Sequence, residues 1–233
     1  MAHPLATWFL WFIIYSFIGW AYESILCSVA GRKVVNRGFL NGPVCPIYGT
    51  GAVAVVYVLS PLADRPVFLF FASAILTTAL EYFTSWLMEV LFHARWWDYS
   101  QRFLNIHGRV CLRGFVAFGA MSVLVVRYVH PWVSSLTARL SSHATLILAA
   151  VLALLFAADL AATLVTVLGL DKRLRAAREL IERRLEERIP RLRGLHAFQM
   201  KRLSNAFPGL DFTRYHEEWQ RLREKLKHKP TKL

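Results

Sequence analysis

The sequence predicts an all-α protein, a polytopic transmembrane bundle of about five spans with a helical, basic tail. Three observations predict it. The 233 residues are 56% hydrophobic and only 18% charged, with a mean hydropathy of +0.38, more apolar than a soluble domain of this size carries. Apolar runs near the 20 residues that a spanning helix needs recur along the first 170 positions. The charge is also one-sided: of the 28 Lys+Arg and 15 Asp+Glu, positions 171–233 hold 18 and 9. The chain therefore divides into a transmembrane domain, residues 1–170, and a basic helical cytoplasmic tail, residues 171–233.

The first run, 8–30, is interrupted only by Glu23. The Met-Ala-His-Pro start lacks a basic n-region, so this run reads as a retained span rather than a cleaved leader. The second, 44–62, has no charge, and Pro46 suits its first helical turn. The third, 67–92, contains Glu81 and Glu89. The fourth, 114–126, is short and bounded by Arg113 and Arg127, both of which must snorkel if it spans. The fifth, 144–170, has Asp159 as its only charge. In the tail, Leu174, Ala177, Ile181 and Leu185 recur at helical spacing until Pro190 and Gly194 interrupt. Beyond Phe207-Pro208-Gly209, the stripe Tyr215, Trp219, Leu222, Leu226 predicts a second amphipathic helix. It suits an anionic lipid surface or a protein partner.

Orientation follows from the loops. With the N-terminus outside, the cytoplasmic loops and tail hold 25 Lys+Arg and the outer loops 3. That bias predicts N-out, C-in. It also explains the pI near 10.2 without nucleic acid, for which no motif is present. Cys27, Cys45 and Cys111 show neither disulfide nor zinc spacing. No Walker A, GxSxG or HExxH motif occurs, and His93 and His107 lack metal-ligand spacing. The sequence thus implies no cofactor and no metal, and no ATPase within the chain.

Two loops concentrate the residues of chemical interest. The first, 36–49, is Asn-Arg-Gly-Phe-Leu-Asn-Gly-Pro-Val-Cys-Pro-Ile-Tyr-Gly. The second, 94–109, contains Arg95-Trp96-Trp97-Asp98-Tyr99-Ser100 and Asn105-Ile106-His107-Gly108-Arg109. Both fall on the predicted cytoplasmic side, where they can meet. The first mixes glycines with apolar residues, as a backbone dipping into the membrane does, which requires protein burial or a cavity. Arg37 beside the free N–H groups of the second helix suits an anion; it equally marks the cytoplasmic side of a structural turn. Glu81, Ser85 and Glu89 share one helix face, which must point inward because a lipid-facing carboxylate costs about 2.5–3.5 kcal/mol. Arg109, Arg113, Tyr82 and Trp86 are its candidate partners. That face reads as a polar pathway, an acid/base pair or a strut. The Trp96–Tyr99 segment also fits an interfacial aromatic belt. The candidate binding residues are Glu23, Asn36, Arg37, Asn41, Glu81, Glu89, Trp97, Asp98, Asn105 and Arg109. Arg37, Glu89, Asp98 and Arg109 are expected to converge; no catalytic residue is assigned.

These strings resemble a known family, the bacterial permease-like membrane proteins described as "putative ABC-transporter type IV". The resemblance rests on Tyr15-Ser16-Phe17-Ile18-Gly19-Trp20 with Glu23, Asn36-Arg37-Gly38-Phe39-Leu40 through Pro46-Ile47-Tyr48-Gly49, Glu81-Tyr82 with Ser85 and Glu89, and Arg95 through Ser100. It closes on Asn105, Gly108-Arg109 and Cys111-Leu112, with Arg113 as a departure. It implies a permease subunit of unstated substrate in the bacterial cytoplasmic membrane, with a separate ATPase as partner beside membrane lipid. The alternative reading is a membrane-embedded enzyme or lipid-binding protein with a polar site at the cytoplasmic interface. The density of Arg, Asn, Trp and Asp in the two loops favours the alternative.

Overall fold

The structure, a computed structural model, describes residues 4–32, 34–180, 202 and 211–212. The stripe Tyr215, Trp219, Leu222, Leu226 and the helical repeat beyond Leu180 lie outside the described residues.

The first helix, α1, is Pro4–Gly31, an apolar stretch of 28 residues. The second, α2, is Pro46–Leu59, opened by Pro46 and followed by a tight turn, Ser60–Leu62. The third, α3, is Pro66–Phe92 and ends on His93 in the left-handed conformation. A short strand, β1, Ala94–Arg95, follows. The fourth, α4, Leu112–Leu124, runs through a widened turn at Val125–Val129 into α5, His130–Ala138. The sixth, α6, Ser142–Leu180, continues past the predicted boundary at 170. A second strand, β2, Asp211–Phe212, pairs antiparallel with β1.

Four helical stretches are long and apolar enough to cross a membrane: Pro4–Val29, Pro66–Phe92, Leu112–Ala138 and Ser142–Leu168. Pro46–Leu62 is shorter; its 17 residues give about 25 Å of rise against a hydrocarbon core of about 30 Å. The fourth stretch is longer than the predicted 114–126, because the helix does not stop at Arg127. That arginine is exposed, and apolar residues continue the helix to Ala138. Pro131 lacks an N–H and clashes with the preceding turn. The widened turn before it, where the His130 N–H reaches the Val125 carbonyl, absorbs that conflict.

The outward surfaces are strongly apolar. Phe68, Ile75, Ile147, Leu154 and Leu155 are all exposed, and an apolar surface this continuous suits lipid rather than water. Inside, α3 packs along α4, α1 packs along α2 and α6, and α2 bridges to α3. The α1–α2 contact is glycine-mediated. A Cβ on Gly49 would collide with Ser16 Oγ, and one on Gly19 with the Tyr48 ring. Small residues are what let membrane helices approach this closely. At the Ser60–Leu62 end, Val55, Leu59, Leu69 and Val126 form a dry cluster. The opposite end carries the polar residues.

Candidate functional site

Both motif loops come together at that polar end. Phe39 of the first loop stacks edge-on against Trp96 of the second, with ring centroids 5.0 Å apart. Each loop is built by its own polar residues. Asn36 Oδ1 accepts from the Trp20 indole at 2.7 Å and from the Gly38 N–H, while its amide donates to the Asn41 carbonyl. Asp159 of α6 accepts from the Asn41 N–H and side-chain amide, and from the Gly42 N–H. Asp159 lies nine residues inside the Leu168 end of its span, about 13 Å deep. The first loop therefore enters the bundle, with its backbone satisfied by protein, the condition for irregular chain at membrane depth.

In the second loop, Asp98 Oδ1 accepts from the Ser100 N–H and Oδ2 from its hydroxyl. Asn105 donates to the carbonyls of Ser100 and Arg102 and accepts from the Gly108 N–H. Gly108 sits at φ +68°; a Cβ there would lie 2.6 Å from Asp98 Oδ1. The sequence places glycine where both the angle and the space require it. Trp97 donates its indole N–H to the Arg109 carbonyl at 3.0 Å.

Three ion pairs form, on the two carboxylates Glu23 and Glu89, rather than one four-residue cluster. Arg37 Nε contacts Glu23 Oε2 at 3.2 Å, and Arg109 Nη2 contacts Glu89 Oε2 at 2.7 Å. Arg95 also reaches Glu89, at 3.3 Å. Asp98 joins none of these pairs among the described residues, since its carboxylate closes its own exposed loop. Of the candidate partners for the α3 face, Arg109 is the one that pairs; it also touches Ser85 Oγ at 3.5 Å and lies 5.7 Å over the Tyr82 ring. Trp86 and Arg113 are exposed.

Glu81 takes a partner that the sequence reading did not name. The Tyr99 hydroxyl donates to Glu81 Oε1 at 3.3 Å, and the Tyr48 hydroxyl donates to Glu23 Oε1 at 2.7 Å. Burial and the neighbouring Glu81 push the Tyr99 phenol well above its usual range, so it remains a donor. Glu23, Arg37, Tyr48, Glu81, Trp96, Trp97 and Tyr99 all face one partly open cavity of about 260 Å³. Its remaining wall is mainly apolar, from Ile47 and Val55 on α2, Leu80 and Met88 on α3, and Phe118 and Met121 on α4. It is thus a hydrocarbon-like chamber with a polar cap. Of the predicted residues, Glu23, Arg37, Glu81 and Trp97 line it. Asn36, Asn41, Asp98 and Asn105 shape the loops around it, and Glu89 with Arg109 braces α3 to the second loop.

One further residue was not anticipated. The Arg202 guanidinium donates to the carbonyls of Gly38, Leu40 and Phe39 at 2.8, 2.6 and 2.9 Å. Burial lowers its pKa, against the raising effect of Asp159. No group of three or more His, Cys, Asp or Glu among the described residues has metal-site geometry.

No curated protein and no solved structure matches the chain. A family model does, over residues 10–164, which takes in all the helices around the cavity and both motif loops. With more than half of its length matched, the chain belongs to the family described as "Putative ABC-transporter type IV".

Proposed function

We propose that this membrane protein binds an amphipathic molecule in the cavity between α2, α3 and α4, as the permease-type, substrate-handling subunit of a transporter whose ATPase is a separate chain. The single observation that carries the reading is the cavity's composition: an apolar chamber capped by charged and hydroxyl groups from α1, α3 and the two loops. Ligand sites are mostly apolar with a few placed polar groups, and an apolar body with a polar head matches this lining end for end. The family description and the lack of any Walker A motif support a partner ATPase. The basic bias of the loops and tail supports N-out, C-in orientation, with the polar cap on the cytoplasmic side and anionic lipid as the surface the tail meets.

Gly51 provides the test. It lines the cavity, and a Cβ built on it meets nothing within 4 Å, so Gly51→Leu projects its side chain into the chamber. The probe is a fatty alcohol brominated on its chain, titrated into the full-length protein in nonionic detergent. Quenching of tryptophan fluorescence should include a saturable component from Trp96 and Trp97 that Gly51→Leu removes. Identical quenching curves for the two proteins would overturn the reading.

A further inference from the structure

The polar cap of the cavity is not electrically balanced. It holds two carboxylates, Glu23 and Glu81, and one cation, Arg37. Arg37 is committed to Glu23 at 3.2 Å, and the Tyr48 hydroxyl occupies the other oxygen of Glu23. The remaining titratable side chains on this wall, the Tyr99 phenol and the Cys45 thiol, bring no positive charge. Glu81 is therefore the carboxyl group that no cation on this wall balances. It is only 5% exposed. Its Oε1 has Tyr99, but its Oε2 is buried with no hydrogen-bond partner among the described residues. A buried carboxylate oxygen left without a donor is costly, more so in apolar surroundings. The position facing it is a glycine: a Cβ on Gly114 would come within 3.5 Å of Oε2.

We propose that the cavity selects amphiphiles with a cationic amine head, the ammonium donating to Glu81 Oε2 while the hydrocarbon body lies along Leu80, Met88 and Phe118. This deepens the amphiphile-binding reading above and rests on it. An ammonium supplies N–H donors and a compensating charge at the atom that lacks both. A hydroxyl supplies a hydrogen bond without charge, and a carboxylate head adds a second negative charge beside Glu81, which the committed Arg37 is not free to offset. The charge-assisted bond is also the stronger of the two favourable ones.

The experiment uses the full-length protein in nanodiscs of zwitterionic lipid, with three probes of equal chain length: decylammonium, decanol and decanoate. Binding is read as the component that Gly51→Leu removes. The ammonium should bind at least tenfold more tightly than the alcohol, and the carboxylate most weakly. Glu81→Gln should abolish the ammonium's advantage over decanol. A second variant guards against a folding defect in the first: Gly114→Ser keeps Glu81 but offers its Oε2 a hydroxyl donor, and should lower the ammonium advantage at least threefold. Ammonium and alcohol binding equally well to the wild type would overturn the cationic selectivity and leave amphiphile binding standing, as would an ammonium advantage that persists in both variants. No Gly51-dependent binding of any probe would overturn both.

Discussion

At the scale of single residues, the two arginines that pair with Glu89 set very different expectations for substitution. Glu89 and Arg109 are 20% and 13% exposed, and Arg109 also serves Ser85 and the Tyr82 ring. Arg109→Ala strands a mostly buried carboxylate, at a cost of about 3 kcal/mol. The melting temperature in detergent should fall by several degrees and the extracted yield with it. Arg95, 36% exposed, also contacts Glu89, but a solvent-screened partner contributes about 0.5 kcal/mol. Arg95→Ala should leave the melting temperature within about a degree. Equal losses from both substitutions would refute the assignment of Arg109 as the brace. Glu89→Gln keeps the shape and some hydrogen bonding while removing the charge, so it too should register in stability before it registers in ligand binding. These pairs were half legible in sequence. The i, i+4, i+8 spacing of Glu81, Ser85 and Glu89 puts them on one face, and opposite charge nearby points to Arg109. Nothing in the spacing distinguishes Glu89, which is neutralised, from Glu81, which is not. That difference depends on where Tyr99 falls after the loop turns at Asp98 and Gly108, a matter of three-dimensional path rather than period.

At the scale of elements, helix existence followed from hydropathy, but one length did not. The fourth helix outran its predicted end because a single arginine at Arg127 need not terminate a span when its side chain can reach outward. The second matches its predicted 44–62 closely, at Pro46–Leu62; what no one-dimensional window sees is the loop held on Asp159 beside it. The tail contributes a further element-scale surprise. Arg202 grips three consecutive carbonyls of the first loop, and β2 pairs with β1 at the start of the second. One short stretch of tail thus ties both loops over the cavity. Three hydrogen bonds to one cation make Arg202→Ala cost about 2 kcal/mol. The loss should appear locally, as faster amide exchange at Gly38–Gly42, with the spans unchanged. Arg202→Lys should rescue little, since an ammonium lacks the planar fork that serves three acceptors at once. Unchanged loop exchange in Arg202→Ala would mean that the loop is held by Asn36 and Asp159 alone. A guanidinium among 28 basic residues carries no mark of this role in sequence; its partners are backbone carbonyls, which have no residue identity to match.

At the scale of the whole molecule, orientation is the property on which the site's meaning depends, because it decides which compartment supplies the ligand. The bundle fixes relative sides: successive spans alternate, so the two motif loops and the far end of α6 share one face, and the turns at Ser60–Leu62 and Arg139–Ser141 share the other. Which face is cytoplasmic rests on charge. Basic residues resist translocation, and Arg65 and Arg139 stand with the second group of turns while Arg127 lies within the fourth span, against 25 assigned to the first group by sequence. Most of that excess sits in the tail, yet the short loops alone split seven to two in the same sense, so the expectation survives deletion of residues 171–233. Reporter fusions after Ala63 and Ser141 should therefore read outside, and fusions after Arg32 and at the C-terminus inside. Fusions in a chain truncated at Leu170 should read the same way. An outside reading at Arg32 in the truncated chain, with an inside reading in the full one, would show that the tail rather than the loops sets the topology. An outside C-terminus in the full-length protein would reverse the scheme and place the polar cap of the cavity on the far side of the membrane from any cytoplasmic ATPase.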